Sequence, residues 1–401
     1  MSDSFSVLDL PQPDPGAIAL SSRLVQKIIY RIAANGGPIS FREYMQMALY
    51  EPGLGYYSAG SVKLGARGDF VTSPEISSLF GHCIGEQANQ LFLQGCSRRI
   101  LEFGAGSGKL CAQLLLSEAR IDKYYILDLS ADLIERQQLS LKQLLPAEQF
   151  DRIQWLDRLP QAFDGIVIAN EVLDAMPVNI VQKAGDGPGN WSGDWPGKWI
   201  EMGVDIVENR LAWVDYATNS PAIEAIRAIE AQGDPLPQPY RSEINLNYHP
   251  WAKALAECCT EAVVILIDYG YEQTQYYHPE RADGTLICHY QHHLHSDPFV
   301  YPGLQDITAF VDFDAFADAA ELCEFKLTGL VSQAQFLLAN GLLGEAEQRM
   351  GKADARAQID IAQQVKTLSL PAEMGEKFKV MVMQKNMNLV MPAMQRGMGL
   401  G

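Results

Sequence analysis

The sequence predicts an α/β protein: a largely parallel β-sheet covered by helices on both faces. Three observations predict it. Short, almost continuous apolar runs recur at "RILEF", "KYYILDL", "RIQWL", "DGIVIAN" and "AVVILIDYG", the pattern of strands buried on both sides. Amphipathic segments such as "KLCAQLLLSEA" and "SADLIERQQLSLKQLL" separate them, and strand–helix alternation specifies parallel pairing through crossovers. A glycine-rich turn, "GAGSG" at Gly104–Gly108, follows the first run and opens the first of those helices. Such a turn lets bare backbone approach a ligand.

Upstream, "LSSRLVQKIIYRIAANGG" has helical periodicity and stops at Gly36-Gly37. "SFRE" is a capping box, with Ser40 as N-cap and Glu43 three residues on, and opens a helix to about Leu49. "YEPGLGYYSAGSVKLGARGDFVTSPE" is too long for a connector and reads as a lid or binding loop. Thr72 or Ser73 at its end is placed to cap the next helix, with Pro74 in the first turn and Glu75 near its positive end. Between Val181 and about Arg241 the strand–helix rhythm breaks. "KWIEMGVDIVENRLAWVDY" alternates as a β-hairpin behind a Gly/Trp-rich loop, so this part reads as an insertion. Near the end, "EFKLTGL" and "EKFKVMVMQK" are two strands able to close the sheet, one of them antiparallel. The division that follows is an N-terminal helical extension with a cofactor-covering loop (1–95), the first part of the core (96–180), an insertion of β-hairpin and helix (181–260), the remainder of the core (261–390) and a tail (391–401).

Bulk properties narrow the partners. Lys and Arg number 31 against 49 Asp and Glu, a net charge of -18. That charge repels nucleic-acid backbones and anionic membranes and suits a cationic target. No apolar run reaches the roughly 18 residues of a membrane span. "MSDSFSVLDLPQPDPG" is neither a secretory signal nor an Arg-rich transit peptide. A cytoplasmic location, in a bacterium, is the expectation, with no nucleic acid and no membrane insertion. The seven cysteines are scattered, only Cys258 and Cys259 are adjacent, and no C-x-x-C pair occurs. Reduced, buried thiols are expected.

The ligand of the glycine turn follows from its spacing. The dinucleotide fingerprint G-x-G-x-x-G needs its third glycine one place after Gly108, where Lys109 stands. The P-loop G-x-x-x-x-G-K-[ST] needs its second glycine five positions after the first; Gly108 lies four after Gly104, and Leu110 sits where the hydroxyl belongs. Both phosphate readings fail, and Lys109 reads as a surface residue. What fits is E-x-G-x-G-x-G, with Glu102 at the strand end before Gly104, Gly106 and Gly108. A carboxylate repels a pyrophosphate but accepts an ammonium. S-adenosylmethionine carries an α-amino group and a sulfonium and no phosphate. Asp128 ends the next strand 24 residues after Gly104, where an acid accepts ribose hydroxyls; capping the following helix is its competing role. S-adenosylmethionine is the expected cofactor, with S-adenosylhomocysteine as product and nicotinamide as the alternative. The residues expected to hold it are Glu102, Gly104, Ala105, Gly106, Gly108, Asp128, Leu129 and Asn170. Asp69, Thr72 and Ser73 join them from the covering loop, the last two offering hydroxyls and a helix N-terminus to the methionine carboxylate.

Six motifs occur in order: "GDFVTSPEISSLFG", "LEFGAGSGKL", "IANEVLDAMPV", "IDYG", "GTLICHYQHHLHSDPF" and "PGLQDITAFVDF". Together they resemble the MidA-like family, over about Ser40 to Gln384. The family includes a mitochondrial complex I assembly factor that methylates protein arginine. The resemblance implies a Rossmann-like, seven-stranded class I S-adenosylmethionine-dependent methyltransferase sheet with an N-terminal helical extension and an inserted β-rich segment. It implies methylation of an arginine in a protein substrate, a quinone-reductase (complex I type) subunit or something similar, and leaves a homodimer open. Many relatives carry Pro and Arg where this chain has Ala105 and Ser107, and Arg where it has Ile287.

An arginine acceptor sets a chemical requirement. Its guanidinium stays protonated below pH ~12 and must be oriented and deprotonated, which carboxylates do through bidentate bonds. Under the resemblance, Glu171 is the main guanidinium clamp and Asp174 its helper. Their i,i+3 spacing after the strand ending at Asn170 puts both on one side of a turn at the carboxyl end of the sheet. "IDYG" ends the next strand, so Asp268 and Tyr269 either open onto the same cleft as catalytic groups or anchor its loops. Four histidines, His289, His292, His293 and His295, fall within seven residues. No H-E-x-x-H helix or Cys pair accompanies them, so no metal is expected; His292 and His295, which match the family, are substrate-loop candidates. "GLQDITAFVDF" is expected to pack that loop, with Asp306 and Asp312 bonding its backbone. Two other functions stay open: a non-catalytic assembly factor that keeps the cofactor as a structural ligand, and a small-molecule methyltransferase with an enclosed apolar pocket.

Overall fold

The computed structural model describes residues 10–58, 72–184 and 198–395. At its centre are seven strands: Arg99–Phe103 (β1), Lys123–Leu127 (β2), Ile153–Leu156 (β3), Phe163–Asn170 (β4), Cys259–Tyr271 (β5), Lys326–Ser332 (β6) and Phe378–Lys385 (β7). They pair in the order β6-β7-β5-β4-β1-β2-β3, and the short strand Val311–Asp312 adds to the end of β5. β1 to β5 are parallel. β7 runs against both β5 and β6, so the antiparallel closing strand is "EKFKVMVMQK".

β5 shows why the apolar runs are unbroken. Val263, Ile265 and Ile267 enter one hydrophobic cluster, while Val264 and Leu266 enter the other. A strand with a core on each face has no position left for polar alternation. Helices Ser78–Leu93, Lys109–Leu116 and Gln333–Ala339 cover the first face; Tyr248–Cys258 and Phe313–Glu321 cover the second. From β1 the chain steps through β2 and β3 toward one edge, then through β4 and β5 toward the other. The crevice beyond the carboxyl ends at such a reversal is where open α/β sheets bind ligands. Here β1 and β4 end side by side, Phe103 opposite Ala169.

A second, antiparallel sheet joins Asn179–Lys183, Trp199–Val207, Arg210–Ala217 and Tyr240–Ile244 to Ile39–Ser40 from the N-terminal part. Its hairpin turns at Glu208-Asn209, both with positive φ (48° and 64°), as tight hairpin turns require. The Gly/Trp-rich loop before it lies mostly outside the described residues. Helices Pro15–Asn35 and Phe41–Tyr50 pack against this sheet, and Ser40 caps the second, its Oγ accepting from Glu43 N at 3.2 Å. The cap expected at Thr72 or Ser73 differs. Ser73–Ile76 is a single helical turn whose N-cap, Thr72, makes no side-chain bond. Ser73 is drawn inward, its Oγ donating to Gln333 Oε1 at 3.1 Å. The long helix starts later, at Ser78, capped by Ser77 Oγ accepting from Leu79 N at 3.1 Å. Among the described residues no helix is long and apolar enough to cross a membrane.

Gly165 on β4 has φ 138°, and a Cβ there would lie 2.3 Å from the Arg99 carbonyl oxygen of β1. Gly165→Ala is expected to lower the unfolding free energy by about 2–4 kcal/mol in a denaturant titration. A change below about 0.5 kcal/mol would show that β4 and β1 are not in the close register described.

Candidate active site

β1 carries Glu102 one residue before its end and runs into the glycine turn. Gly104, Gly106 and Gly108 have φ of 59°, 56° and 81°, which costs a residue bearing a Cβ roughly 1–2 kcal/mol each. The turn is closed by Gly104 N donating to Leu127 O (3.0 Å) and Gly108 N to Ala105 O (2.8 Å). Glu102 is 2% exposed, and its Oε2 accepts from Tyr124 OH at 2.7 Å. No cation pairs with it among the described residues. Burial pushes its carboxyl up to about 8; the Tyr124 bond works against that shift and Asp128 adds to it.

Asp128 follows β2 directly. Its Oδ1 accepts from Ser130 N (3.1 Å) and its Oδ2 from Gln137 Nε2 (2.9 Å). Burial raises its carboxyl. Ser130, not Asp128, caps helix Ala131–Leu144, its Oγ accepting from Leu133 N. Gln137 was not anticipated. It is fully buried, its amide also donates to Gly106 O (3.0 Å), and its Oε1 accepts from Trp155 Nε1 (3.0 Å). One side chain thus ties the glycine turn, the acid after β2 and strand β3 together. The signal for it was a glutamine on the apolar stripe of an amphipathic helix, one turn before Leu141.

β4 ends at Asn170, and Glu171 turns the chain with φ 54°, a strained conformation for a residue other than glycine. Glu171 N donates to Ile267 O at 2.8 Å. Asp268 Oδ2 accepts from the amides of Val172 (3.2 Å), Leu173 (3.0 Å) and Asp174 (3.3 Å), and its Oδ1 from Tyr269 N (2.9 Å). Asp268 is therefore spent on backbone and does not line the cavity; it holds the acidic turn in place. Tyr269 also sits behind the turn, between Phe310 and Phe378, with its phenol on Asp174. Glu171 Oε1 accepts from Asn170 Nδ2 (3.2 Å) and Ser73 N (3.4 Å), while Oε2 takes neither. Burial pushes Glu171 up to about 8, with Asp174 and Asp306 adding repulsion. Asp174 is raised to about 6, chiefly by burial, and its Oδ1 has no hydrogen-bond partner in the described structure.

A cavity of about 570 Å³ opens among these elements, within the roughly 300–1,000 Å³ of small-molecule pockets; Asp174, expected beside Glu171, does not line it. Glu102, the turn from Gly104 to Ser107, Asp128, Leu129, Asn170 and Glu171 all line it, as does Thr72. Gly108 and Ser73 do not; Ser73 reaches the site only through the amide it gives Glu171. Asp69 lies outside the described residues. Lys109 opens its helix with a half-exposed side chain, as expected of a surface residue, and it also joins Ser107 Oγ in bonding the Glu75 carboxylate, clasping the turn Ser73–Ile76 to the glycine turn. His292 sits at an exposed hairpin turn with φ 66°, and His295 is buried opposite Cys288; neither lines the cavity. No grouping of three His, Cys, Asp or Glu side chains among the described residues is arranged to hold a metal ion.

The residues present fit S-adenosylmethionine: a buried carboxylate without a cation for the ammonium, backbone laid bare by glycine, an acid for the ribose, and leucines for the purine. The sheet order and this donor set define a class I S-adenosylmethionine-dependent methyltransferase. A model of a family described as S-adenosyl-L-methionine-dependent methyltransferases matches residues 83–331. The chain is 39% identical to a superfamily member from Burkholderia thailandensis solved with S-adenosyl-homocysteine, with TM-score 0.87 over 97% of this chain and 98% of that one. It is 30% identical to the mitochondrial protein arginine methyltransferase NDUFAF7 homolog of Drosophila melanogaster, over 92% of this chain and 86% of that protein. The Rattus norvegicus mitochondrial protein arginine methyltransferase NDUFAF7 is 28% identical over 88% and 83%. The chain belongs to the MidA-like family of S-adenosylmethionine-dependent methyltransferases.

Two expectations follow. Gln137→Leu should weaken S-adenosylmethionine binding about tenfold by calorimetry, because the Asp128 carboxylate and the Gly106 carbonyl both lose their donor; unchanged affinity would contradict this. Glu102 and Glu171 have folded values near 8 against an ordinary 4.5, so between those values the native protein holds more protons than the unfolded chain. Ligand-free stability should therefore be full below pH about 4.5 as far as these two groups go, and fall as pH rises toward 8. Glu102→Gln should flatten that slope in thermal unfolding scans.

Proposed function

We propose that the protein transfers a methyl group from S-adenosylmethionine to a guanidinium nitrogen of a protein arginine, and that its substrate is a quinone-reductase (complex I type) subunit or a close counterpart. One observation carries the reading. Glu171, in a left-handed conformation at the end of β4, lines the same cavity as the glycine turn, and the buried Asp174 three residues on adds its charge to it. A neutral acceptor needs no such pair of acids; a guanidinium does. The names of the relatives and the net charge of -18 agree with a cationic protein segment as substrate.

When bound, S-adenosylmethionine supplies a methyl group already activated by its sulfonium. The chain's own residues align and deprotonate the acceptor. Asn170 and Ser73 hold Glu171 Oε1 and so fix the carboxylate plane. Oε2 is left to take an N–H of the guanidinium and, as the new C–N bond forms, its proton. The arriving cation favours the ionised carboxylate that burial opposes. Asp174 adds negative charge behind the same turn, and Asp268 keeps the turn rigid. Leucines around the crevice exclude water, leaving alignment as the main catalytic demand.

Incubation with methyl-labelled S-adenosylmethionine and bacterial lysate should yield labelled methylarginine in protein. Glu171→Gln should cut the rate about 100-fold or more while the cofactor still binds. The kcat/KM of the wild type should rise with pH through the Glu171 value of about 8, since this ratio reports groups of the free enzyme. Binding without turnover would favour the assembly-factor reading, label only in small molecules would overturn the protein substrate, and full activity in Glu171→Gln would remove Glu171 from the reaction.

A further inference from the structure

The Gly-rich segment "YEPGLGYY" brings two aromatic rings to the cavity. Helix Phe41–Tyr50 ends there, and the chain doubles back so that Tyr56 N donates to Ala48 O (2.9 Å) and Tyr57 N to Leu49 O (2.8 Å). The ring of Tyr57 therefore lies on that of Tyr50, centroids 5.5 Å apart and planes 24° from parallel. Both tyrosines line the cavity together with Glu171 and Ala175. Their hydroxyls are tied to fixed partners. Tyr57 OH lies 3.0 Å from each carboxylate oxygen of Asp306. Tyr50 OH donates to Ala175 O at 2.9 Å, one residue past Asp174. With the hydroxyls engaged, what the pair offers a ligand is π surface. Burial, and then Asp306 and other nearby acids, raise both phenols, so the rings stay neutral beside the carboxylates.

Carboxylates alone attract lysine as readily as arginine. A stacked aromatic surface separates them, because the guanidinium is planar, delocalised and weakly hydrated, whereas an ammonium is a compact, strongly hydrated charge. We propose that Tyr50 and Tyr57 form the acceptor-side wall of the cavity, where they select a guanidinium plane over an ammonium and present it to Glu171. This rests on the arginine reading above and deepens it to the specificity of the acceptor lobe.

The test uses the full chain saturated with S-adenosylhomocysteine and reads binding, not turnover. The probes are the Nα-acetyl methylamides of arginine, lysine and citrulline, titrated by saturation-transfer NMR. The wild type should bind the arginine derivative about tenfold more tightly than the lysine one, and citrulline weakest. Tyr57→Leu should remove that preference, whereas Tyr57→Phe, which keeps the ring, should hold it within about threefold. Retained S-adenosylhomocysteine binding and an unchanged melting temperature establish that the variants fold. Tyr50→Leu is read in the same way if Tyr57→Leu does not fold. Equal binding of arginine and lysine derivatives by the wild type, binding of none of the three, or a preference that survives loss of either ring would overturn the proposal. The outcome is separable from the methylation assay: an absence of methylarginine alongside intact guanidinium selection would sink the reaction and leave the wall standing.

Discussion

Buried and half-buried carboxyl groups, unpaired with cations among the described residues, govern this molecule. Glu102, Asp128, Glu171, Asp174 and Asp268 crowd the carboxyl rim of β1, β2, β4 and β5, and burial raises every one of them. Removing one carboxylate from water is costly, and removing several side by side is more so. The protein keeps them in part protonated and in part bonded to backbone amides. Each of those compromises leaves room for a positive ligand to do better. A sulfonium cofactor brings positive charge to this crevice, and the guanidinium acceptor proposed above would bring more.

The rest of the architecture serves to hold those groups where they are. Asp268 takes three consecutive amides of the turn after β4, which compensates for the left-handed backbone at Glu171. Gln137 joins the glycine turn to Asp128 and to Trp155. Glu75 clasps Ser107 and Lys109 and brings the short helical turn Ser73–Ile76 onto the glycine turn. The second sheet seats the helix whose last residue is Tyr50. In this way an element far outside the methyltransferase core lines the cavity.

Features with a local cause were legible in the sequence. Alternating glycines after an apolar run announce a positive-φ turn, strands buried on both faces announce a parallel sheet, and Glu102 and Asp128 stand at strand ends that the pattern locates. The seven-stranded sheet and the cofactor followed from these residues and the family resemblance together. Features created by distant contacts were not legible. Tyr57 meets Asp306 across 249 residues, and nothing near Tyr57 in the chain signals that acid. Asp268 stands at a strand end just as Asp128 does, yet its geometry makes it an anchor of backbone amides; only the position of the neighbouring turn decides between the two roles. His292 and His295 were substrate-loop candidates, but a two-residue hairpin turn leaves His292 exposed and His295 buried, and neither lines the cavity. Lys109 was read from its helix position, and the acid that captures it comes from another segment.

The most direct test is a carbon-13 NMR titration of the Glu102 and Glu171 carboxyls, each assigned through its glutamine variant, with and without S-adenosylmethionine. Both should titrate near 8 in the free protein, and the Glu102 value should fall once the ligand binds. Carboxyls that titrate near the ordinary 4.5 in the free protein, or a Glu102 value that does not fall when the ligand binds, would contradict the claim that this crevice is an acid-lined site suited to positive charge.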